Sequence, residues 1–274
     1  MTTPDNQQWE YAVDALRRSR EVVVFTGAGI SAESGIATFR DDDGFWRRFP
    51  PEEFANWSGL MKTAATQPRR FGDFLLAILE PIAHAEPNAG HQAIAELEQH
   101  VNVSIITQNI DGLHQSAGST AVKEVHGTLF ETVDLRTNRF RNLLSRDEVK
   151  QVVEDIRRAM TGSLAAARLM MAVSPLFGLD LKGGHRPNLV LFGDAMAEPA
   201  WSQSVEATKA CDTFIAVGTS GEVFPAASLP FEAQSSGATV ITVDPVESGT
   251  GFWLRGTAGE VLPRIVADAF GQAN

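Results

Sequence analysis

The chain has 274 residues, 43% hydrophobic and 21% charged, with a formal net charge of −11 at pH 7. This is enough apolar sequence for one large domain, or one large and one small, and the acidic balance argues against broad nucleic-acid binding while mildly favouring basic over acidic peptides. The longest apolar runs, such as Val22-Val23-Val24-Phe25, are strand-sized and far short of the ~20 residues of a membrane helix, the first eight residues lack the basic and apolar segments of a secretory signal, and Cys211, the only cysteine, excludes an internal disulfide or a cysteine-built metal site and suits a reducing cytoplasm.

In chain order, Trp9 to Arg20 carries apolar residues at a helical period and leads into the apolar strand Val22 to Phe25, which Gly27-Ala28-Gly29 breaks. Asp41 to Pro87 leaves this rhythm: Asp41-Asp42-Asp43-Gly44 and Pro50-Pro51 mark a mobile loop, followed by a helical excursion around Phe71–Leu79. A helix over Gly90–His100 precedes the strand Ser104–Thr107. From Glu131 to Arg186 the pattern departs again. There Ser145-Arg146-Asp147-Glu148 reads as a capping box ahead of Val149, Val152, Val153, Ile156 and Met160 at helical spacing, and Ala165 to Met171 adds a helix before the breaks at Ser174-Pro175 and Gly183-Gly184. Alternation resumes with the strand Leu189–Phe192, helix Pro199–Cys211, strand Phe214–Gly218, helix Pro225–Ser236 and strand Thr239–Val243. Alternating strands and helices predict an α/β fold with a doubly wound parallel sheet. The large domain takes residues 1–40, 88–130 and 186–274, with 41–87 as loop and helical excursion and 131–185 as a small, mainly helical inserted module.

Two motifs carry chemistry. Gly27-Ala28-Gly29-Ile30-Ser31-Ala32-Glu33-Ser34-Gly35 follows a buried strand and opens into helix-compatible sequence, the setting in which backbone amides hold a pyrophosphate. Its spacing departs from G-x-G-x-x-G and no acidic ribose residue follows about 20 positions on, so a tight turn without a ligand stays open. Arg40 suits either a phosphate or a surface ion pair. The second motif, Thr107-Gln108-Asn109-Ile110-Asp111-Gly112-Leu113-His114, gathers a carboxamide pair, a carboxylate and a base at the end of a strand, where ligands of open α/β sheets bind. Such side chains cost stability if buried unpaired, which favours bonds to each other or to a ligand. His126, followed by Gly127, suits a general base near neutrality, with a satisfied core histidine as the alternative.

The strings GAGIS with GIATFR, TQNIDGLH, VHG, RPNLVLFGD, GTSGEVFPAA and GTAGEVLP resemble, in order, the sirtuin pattern. The resemblance implies a Rossmann-like large domain, a small inserted domain and NAD-dependent removal of acyl groups from lysine. It implies contacts of Gly27, Ala28, Gly29, Ile30, Ser31 and Ala32, with Phe39 and Arg40, to the pyrophosphate, ribose and nicotinamide side of NAD. Gln108, Asn109, Ile110 and Asp111 would line the nicotinamide and ribose pocket, Gly218, Thr219 and Ser220 the second phosphate and ribose loop, with Asp244 near a ribose hydroxyl and Ala258 at the adenine end. Val190, Phe192, Gly193 and Asp194, with Glu222 and Val223 of a neighbouring segment, would face the substrate peptide. In the chemistry so implied, the acyl oxygen attacks the anomeric carbon as nicotinamide leaves, Asn109 orients ribose and water, Asp111 places the carboxamide, and His126 deprotonates a ribose hydroxyl. Products would be free lysine, nicotinamide and O-acyl-ADP-ribose.

The chain departs from the pattern at three places. No cysteine follows His126, so the four-thiolate zinc site of most sirtuins is impossible and no metal is expected. Leu75 and Ile78 stand where some sirtuins place a tyrosine and an arginine for acidic acyl groups, which predicts acetyl or longer apolar acyl groups over succinyl, unless Arg69 or Arg70 replaces that arginine. Asp244 and Asp194 stand where asparagine and glutamate are commoner. Competing functions are an NAD glycohydrolase or ADP-ribosyltransferase, which would need the same Asn109 and His126, and a non-catalytic NAD or ADP-ribose sensor.

Overall fold

The computed structural model describes residues 6–38, 45–161, 165–180, 183–247 and 250–271. Helix α1 (Asn6–Arg18) leads to β1 (Glu21–Thr26), whose inner residues are all buried, and then to a 3-10 segment over Ala28–Ser34. Four helices follow: α2 (Phe45–Arg48), α3 (Pro51–Phe54), α4 (Trp57–Thr66) and α5 (Pro68–His84). Next come α6 (Ala89–Leu97), β2 (Asn102–Thr107), α7 (Leu113–Ser116), β3 (Val122–Glu124), β4 (Gly127–Asp134) and β5 (Phe140–Leu143). After α8 (Arg146–Met160) and α9 (Ala165–Ala172) the chain forms β6 (Gly178–Asp180) and β7 (Gly183–Leu189). The remainder is α10 (Ala200–Ala210), β8 (Thr213–Val217), α11 (Leu229–Ser235), β9 (Thr239–Asp244), β10 (Phe252–Arg255) and α12 (Ala258–Phe270).

The chain divides into two compact units. The larger takes the described residues of Met1–Thr38, Glu86–His126 and Met196–Asn274, and holds a six-stranded sheet in the order β10-β9-β8-β1-β2-β3, every pairing parallel. Both faces are covered, which is why the central strands read as unbroken apolar runs. One face packs Val22, Val24, Ile215 and Ile241 against Leu16, Ile94 and Ile265, and the other packs Val23, Phe25, Phe214 and Val240 against Leu229 and Ala233. The chain runs outward from β1 to β2 and β3, then returns to the other side of β1 to start β8. The crevice at this reversal lies beyond the carboxyl ends of β1 and β8.

The second unit joins Phe39–Ala85 to Gly127–Ala195, so both excursions from the alternating pattern belong to one body. It contains the expected helices, and α8 starts at the expected box: Ser145 accepts the Glu148 amide, and Glu148 accepts the Ser145 amide at 2.7 Å. It also contains a four-stranded antiparallel sheet, β5-β4-β7-β6, that the sequence pattern did not predict. The expected strand Leu189–Phe192 is corrected here. The ladder ends at Leu189, and this strand belongs to the antiparallel sheet, because Gly193 at φ +94° turns the chain and Asp194 N–H closes the turn on Leu191 O at 3.0 Å. Strands β3 and β10 were likewise unforeseen.

Candidate functional site

In the larger unit the loops after β1 and β8 meet backbone to backbone. Gly27 N–H donates to Val217 O at 3.0 Å and Gly29 N–H to Gly218 O at 2.9 Å. A Cβ on Gly27 would lie 2.7 Å from Gly218 O, and one on Gly29 2.6 Å from Gly218 Cα, so no side chain fits at either position. Ala28 and Ala32 follow in the 3-10 segment. The Ile30 side chain belongs to the core, leaving its backbone as the part available to a ligand.

Ser31 is the hub of a buried network. Its hydroxyl donates to Asp111 Oδ2 at 2.7 Å and accepts from Asn109 Nδ2 at 3.2 Å, while the same nitrogen donates to Gly27 O at 3.0 Å. Asp111 Oδ1 accepts the Leu113 amide at the start of α7, at 3.0 Å. Because both hydrogens of the Asn109 amide point to these acceptors, Oδ1 is the atom through which Asn109 can accept a hydrogen bond from a ligand. Gln108 Nε2 donates to Thr219 Oγ1 at 3.0 Å, joining the segment after β2 to the loop after β8.

His126 Nδ1 lies 3.1 Å from Gln108 O. A carbonyl only accepts, so Nδ1 carries the proton and Nε2 presents a lone pair. Burial lowers the imidazole pKa, and the bond to Gln108 opposes that shift. The ring is therefore neutral at pH 7, as a base must be. His114, the other histidine of the motif, is not at the surface of the site. It is 1% exposed, with Nε2 3.0 Å from Thr26 Oγ1, and its pKa is lowered to about 3 by burial and by neighbouring His91. Sequence reasoning missed its partner Thr26 and, beyond it, Thr107: their hydroxyls bond at 2.8 Å across facing strand ends, and Thr107 Oγ1 also accepts the Asn109 amide at 3.1 Å.

Asp244 ends β9, 2% exposed, accepting the Val246 amide at 2.9 Å. Ser220, Glu222 and Val223 lie exposed in the loop after β8, beside half-buried Thr219. The Cβ of Ala258 packs on Gly90. Glu33, also missed, accepts the Gly259 amide at 2.8 Å and the Thr257 hydroxyl at 3.1 Å, tying the 3-10 segment to the start of α12. Phe39 and Arg40 lie outside the described residues.

The other expected residues lie in the second unit. Leu75 is buried and Ile78 half-buried on α5, and Arg70 is engaged by Glu53 at 3.1 Å. Val190 follows the last ladder pair, Gly127 with Leu189. Phe192, 63% exposed, donates its amide to Ala55 O at 2.9 Å. Asp194 Oδ2 accepts the Trp57 indole at 2.7 Å and the Leu191 amide at 3.1 Å.

The strand order, the glycine contacts at the switch point and the polar network beyond β2 define a dinucleotide-binding α/β protein. The acceptors at Asn109 Oδ1 and His126 Nε2 suit ribose hydroxyls, and the close backbone approach at Gly27 and Gly29 suits a pyrophosphate. Residues 27–225 match the Sir2 family model, and the chain belongs to that family. It is 39% identical over 264 residues to NAD-dependent protein deacylase 2 of Archaeoglobus fulgidus, covering 94% of each chain. Among solved structures it resembles a Sir2 homologue in complex with NAD (32% identity, TM-score 0.75, 95% of this chain and 93% of that one). It also resembles a Sir2 protein bound to a myristoylated histone peptide (33% identity, TM-score 0.69, 97% of each).

Proposed function

We propose that the protein is an NAD-dependent protein-lysine deacylase releasing nicotinamide, O-acyl-ADP-ribose and free lysine. The observation that carries this reading is the fixed tautomer of His126, a neutral base bonded to the carbonyl of the residue that precedes Asn109. When bound, NAD supplies an anomeric carbon whose bond to nicotinamide is exchanged for one to the acyl oxygen. The chain's own groups do the rest. Asp111, held by Ser31 and the Leu113 amide, positions a carboxamide; Asn109 Oδ1 orients a ribose hydroxyl or water; and His126 Nε2 takes the ribose proton.

The substrate is an acyl-lysine peptide that lies alongside Val190–Asp194, just past the end of the β7 ladder. Leu75 and Ile78 favour acetyl or longer apolar acyl groups, and the engagement of Arg70 by Glu53 removes the obvious cation for a succinyl carboxylate. The enzyme works without zinc, and its single thiol suits the cytoplasm.

Mass spectrometry of products from NAD and acetyl-, myristoyl- and succinyl-lysine peptides tests this. Nicotinamide release should require an acyl peptide and yield O-acyl-ADP-ribose, fastest on the apolar acyl groups, and His126→Ala should slow turnover by roughly 10²–10⁴-fold. Nicotinamide release without peptide would mark a glycohydrolase, and a ligand response with no turnover in the wild type would mark a sensor. A succinyl preference would sink the acyl assignment.

A further inference from the structure

The residues of the second unit do not fit the zinc that the resemblance implies for this module. It contains no cysteine, and among the described residues no group of three or more histidine, cysteine or acidic side chains could hold a metal ion. A knot of hydrogen bonds joins its turns instead. Asp134 ends β4 and organises the turn to β5: its Oδ1 accepts the amides of Arg136 and Thr137 at 3.0 and 2.8 Å and the Thr137 hydroxyl at 2.9 Å. These bonds, led by that from the Thr137 amide, lower its pKa and keep it ionised. Its other oxygen lies 3.6 Å from Arg141 Nη1 on β5, and that nitrogen also donates to Gly183 O and Gly184 O at 3.2 Å, where β7 begins. One guanidinium thus spans the β4–β5 turn and the start of β7. The pair is 12% and 22% exposed, whereas Arg158–Asp155 is 69% and 40% exposed, so the clasp is less open to solvent than that surface pair.

A second arginine extends the contact. Arg186 Nη2 donates to Asn138 Oδ1 in the same turn at 3.0 Å, and its Nη1 donates to Pro187 O and Leu189 O at 3.0 and 3.1 Å. Its guanidinium lies 4.5 Å from the ring centroid of Trp57, whose indole holds Asp194. A continuous set of contacts therefore runs from the hairpin turn to the segment Val190–Asp194.

We infer that Asp134, Arg141 and Arg186 form a metal-independent clasp that joins the turns of the antiparallel sheet and positions Val190–Asp194 for the peptide. The peptide half of this inference rests on the deacylase reading; the clasp itself does not. Arg141 meets the carboxylate and both carbonyls through one nitrogen, Nη1, while Arg186 spreads its contacts over Nη1 and Nη2, the fork geometry that a lysine point charge does not offer.

The test uses the full chain. Elemental analysis should find no stoichiometric zinc, and EDTA should leave the melting temperature unchanged. Arg141→Met should speed amide exchange in 130–143 and 183–189 by about tenfold. It should raise the peptide KM about fivefold while the NAD KM stays within about twofold, with Arg141→Lys intermediate. Should Arg141→Met fail to fold, Arg141→Lys and Asp134→Asn carry the same exchange measurement. Unchanged exchange, or bound zinc whose removal lowers melting, overturns the clasp. Faster exchange with an unchanged peptide KM overturns the positioning role, and a wild type without deacylase activity overturns the enzymatic reading while exchange still decides the clasp.

Discussion

The two units hold their loops by different means. In the larger one, the loops after β1 and β8 touch through backbone at Gly27, Gly29 and Gly218, and the polar groups beyond them form a short buried network around Ser31. In the smaller one, side chains make the joints: Arg141 on Asp134, Arg157 of α8 on Glu80 of α5, and an aromatic cluster of Phe45, Phe49, Phe54 and Phe74. Backbone contact admits almost no substitution, because there is nothing to repack. Side-chain joints can be rebuilt in different chemistry. The glycine turn, the polar network beyond β2 and His126 sit in the first kind of architecture, whereas the RPNLVLFGD string and the departure from zinc ligation sit in the second.

Acid exposes a liability in the larger unit that this contrast would otherwise hide. His91 and His114 are 0% and 1% exposed, with ring centroids 5.0 Å apart, and burial lowers their pKa values to about 4 and about 3 from 6.5. The folded state keeps both neutral, whereas the unfolded chain takes up protons below pH 6.5. Stability is therefore intact above that value and falls as pH drops toward the folded pKa values. Going from pH 7 to 5 should cost about 2 kcal/mol per histidine, or about 4 together. Urea unfolding at both pH values measures it, with His91→Gln and His114→Asn as comparators. Equal pH dependence in wild type and double variant would show that these rings are not what makes the larger unit acid-sensitive.

Two glycines test backbone against side-chain packing at nearly the same distance. A Cβ on Gly29 would lie 2.6 Å from Gly218 Cα, and one on Gly72 of α5 would lie 2.5 Å from Met160 Sδ. The backbone cannot withdraw, but a methionine side chain can turn away. Gly29→Ala should cost about 2 kcal/mol and weaken NAD binding, because overpacking against a fixed neighbour moves the loop. Gly72→Ala should stay within about 1 kcal/mol, since the gain of alanine in a helix offsets the displacement of Met160. Chemical denaturation of both variants with calorimetric titration of NAD decides it. Equal costs would erase the distinction between the two architectures.

The parallel sheet was legible because strands buried on both faces must be apolar throughout, as Val22-Val23-Val24-Phe25 is. Its edge strand β3, Val122-Lys123-Glu124, carries only half-buried residues and left no such trace. The antiparallel sheet was hidden for related reasons. Phe140 and Leu143 of β5 are each 62% exposed, and β7 reads Gly-Gly-His-Arg-Pro-Asn-Leu, with breakers where a strand signal would stand. Pairing with β4, not local preference, makes these residues strands. At the site, Gln108, Asn109, Asp111 and His126 were legible as polar residues in improbable places. Thr26 and Thr107 were not, because threonine is ordinary in a strand and only the register brings their hydroxyls together. The burial of His114 was equally invisible in one dimension.

The smallest expected effect compares two of the capping boxes, those of α8 and α12. In α8, Ser145 and Glu148 bond reciprocally, with the Ser145 hydroxyl also donating to Glu148 at 2.8 Å. In α12, Glu260 accepts the Thr257 amide at 3.3 Å, but Glu33 independently accepts the Gly259 amide and the Thr257 hydroxyl. Ser145→Ala removes the side-chain acceptor of the Glu148 amide and should cost about 1 kcal/mol. Thr257→Ala should cost less than half of that, about 0.5 kcal/mol or below, because Glu33 still satisfies a first-turn donor and its negative charge still complements the helix start. Val149, Val152, Val153 and Ile156 remain buried in either case, so α8 should fray in its first turn without unfolding. Amide exchange at residues 146–149 and 258–261 separates the outcomes. Equal fraying in the two helices would mean that Glu33 does not support α12.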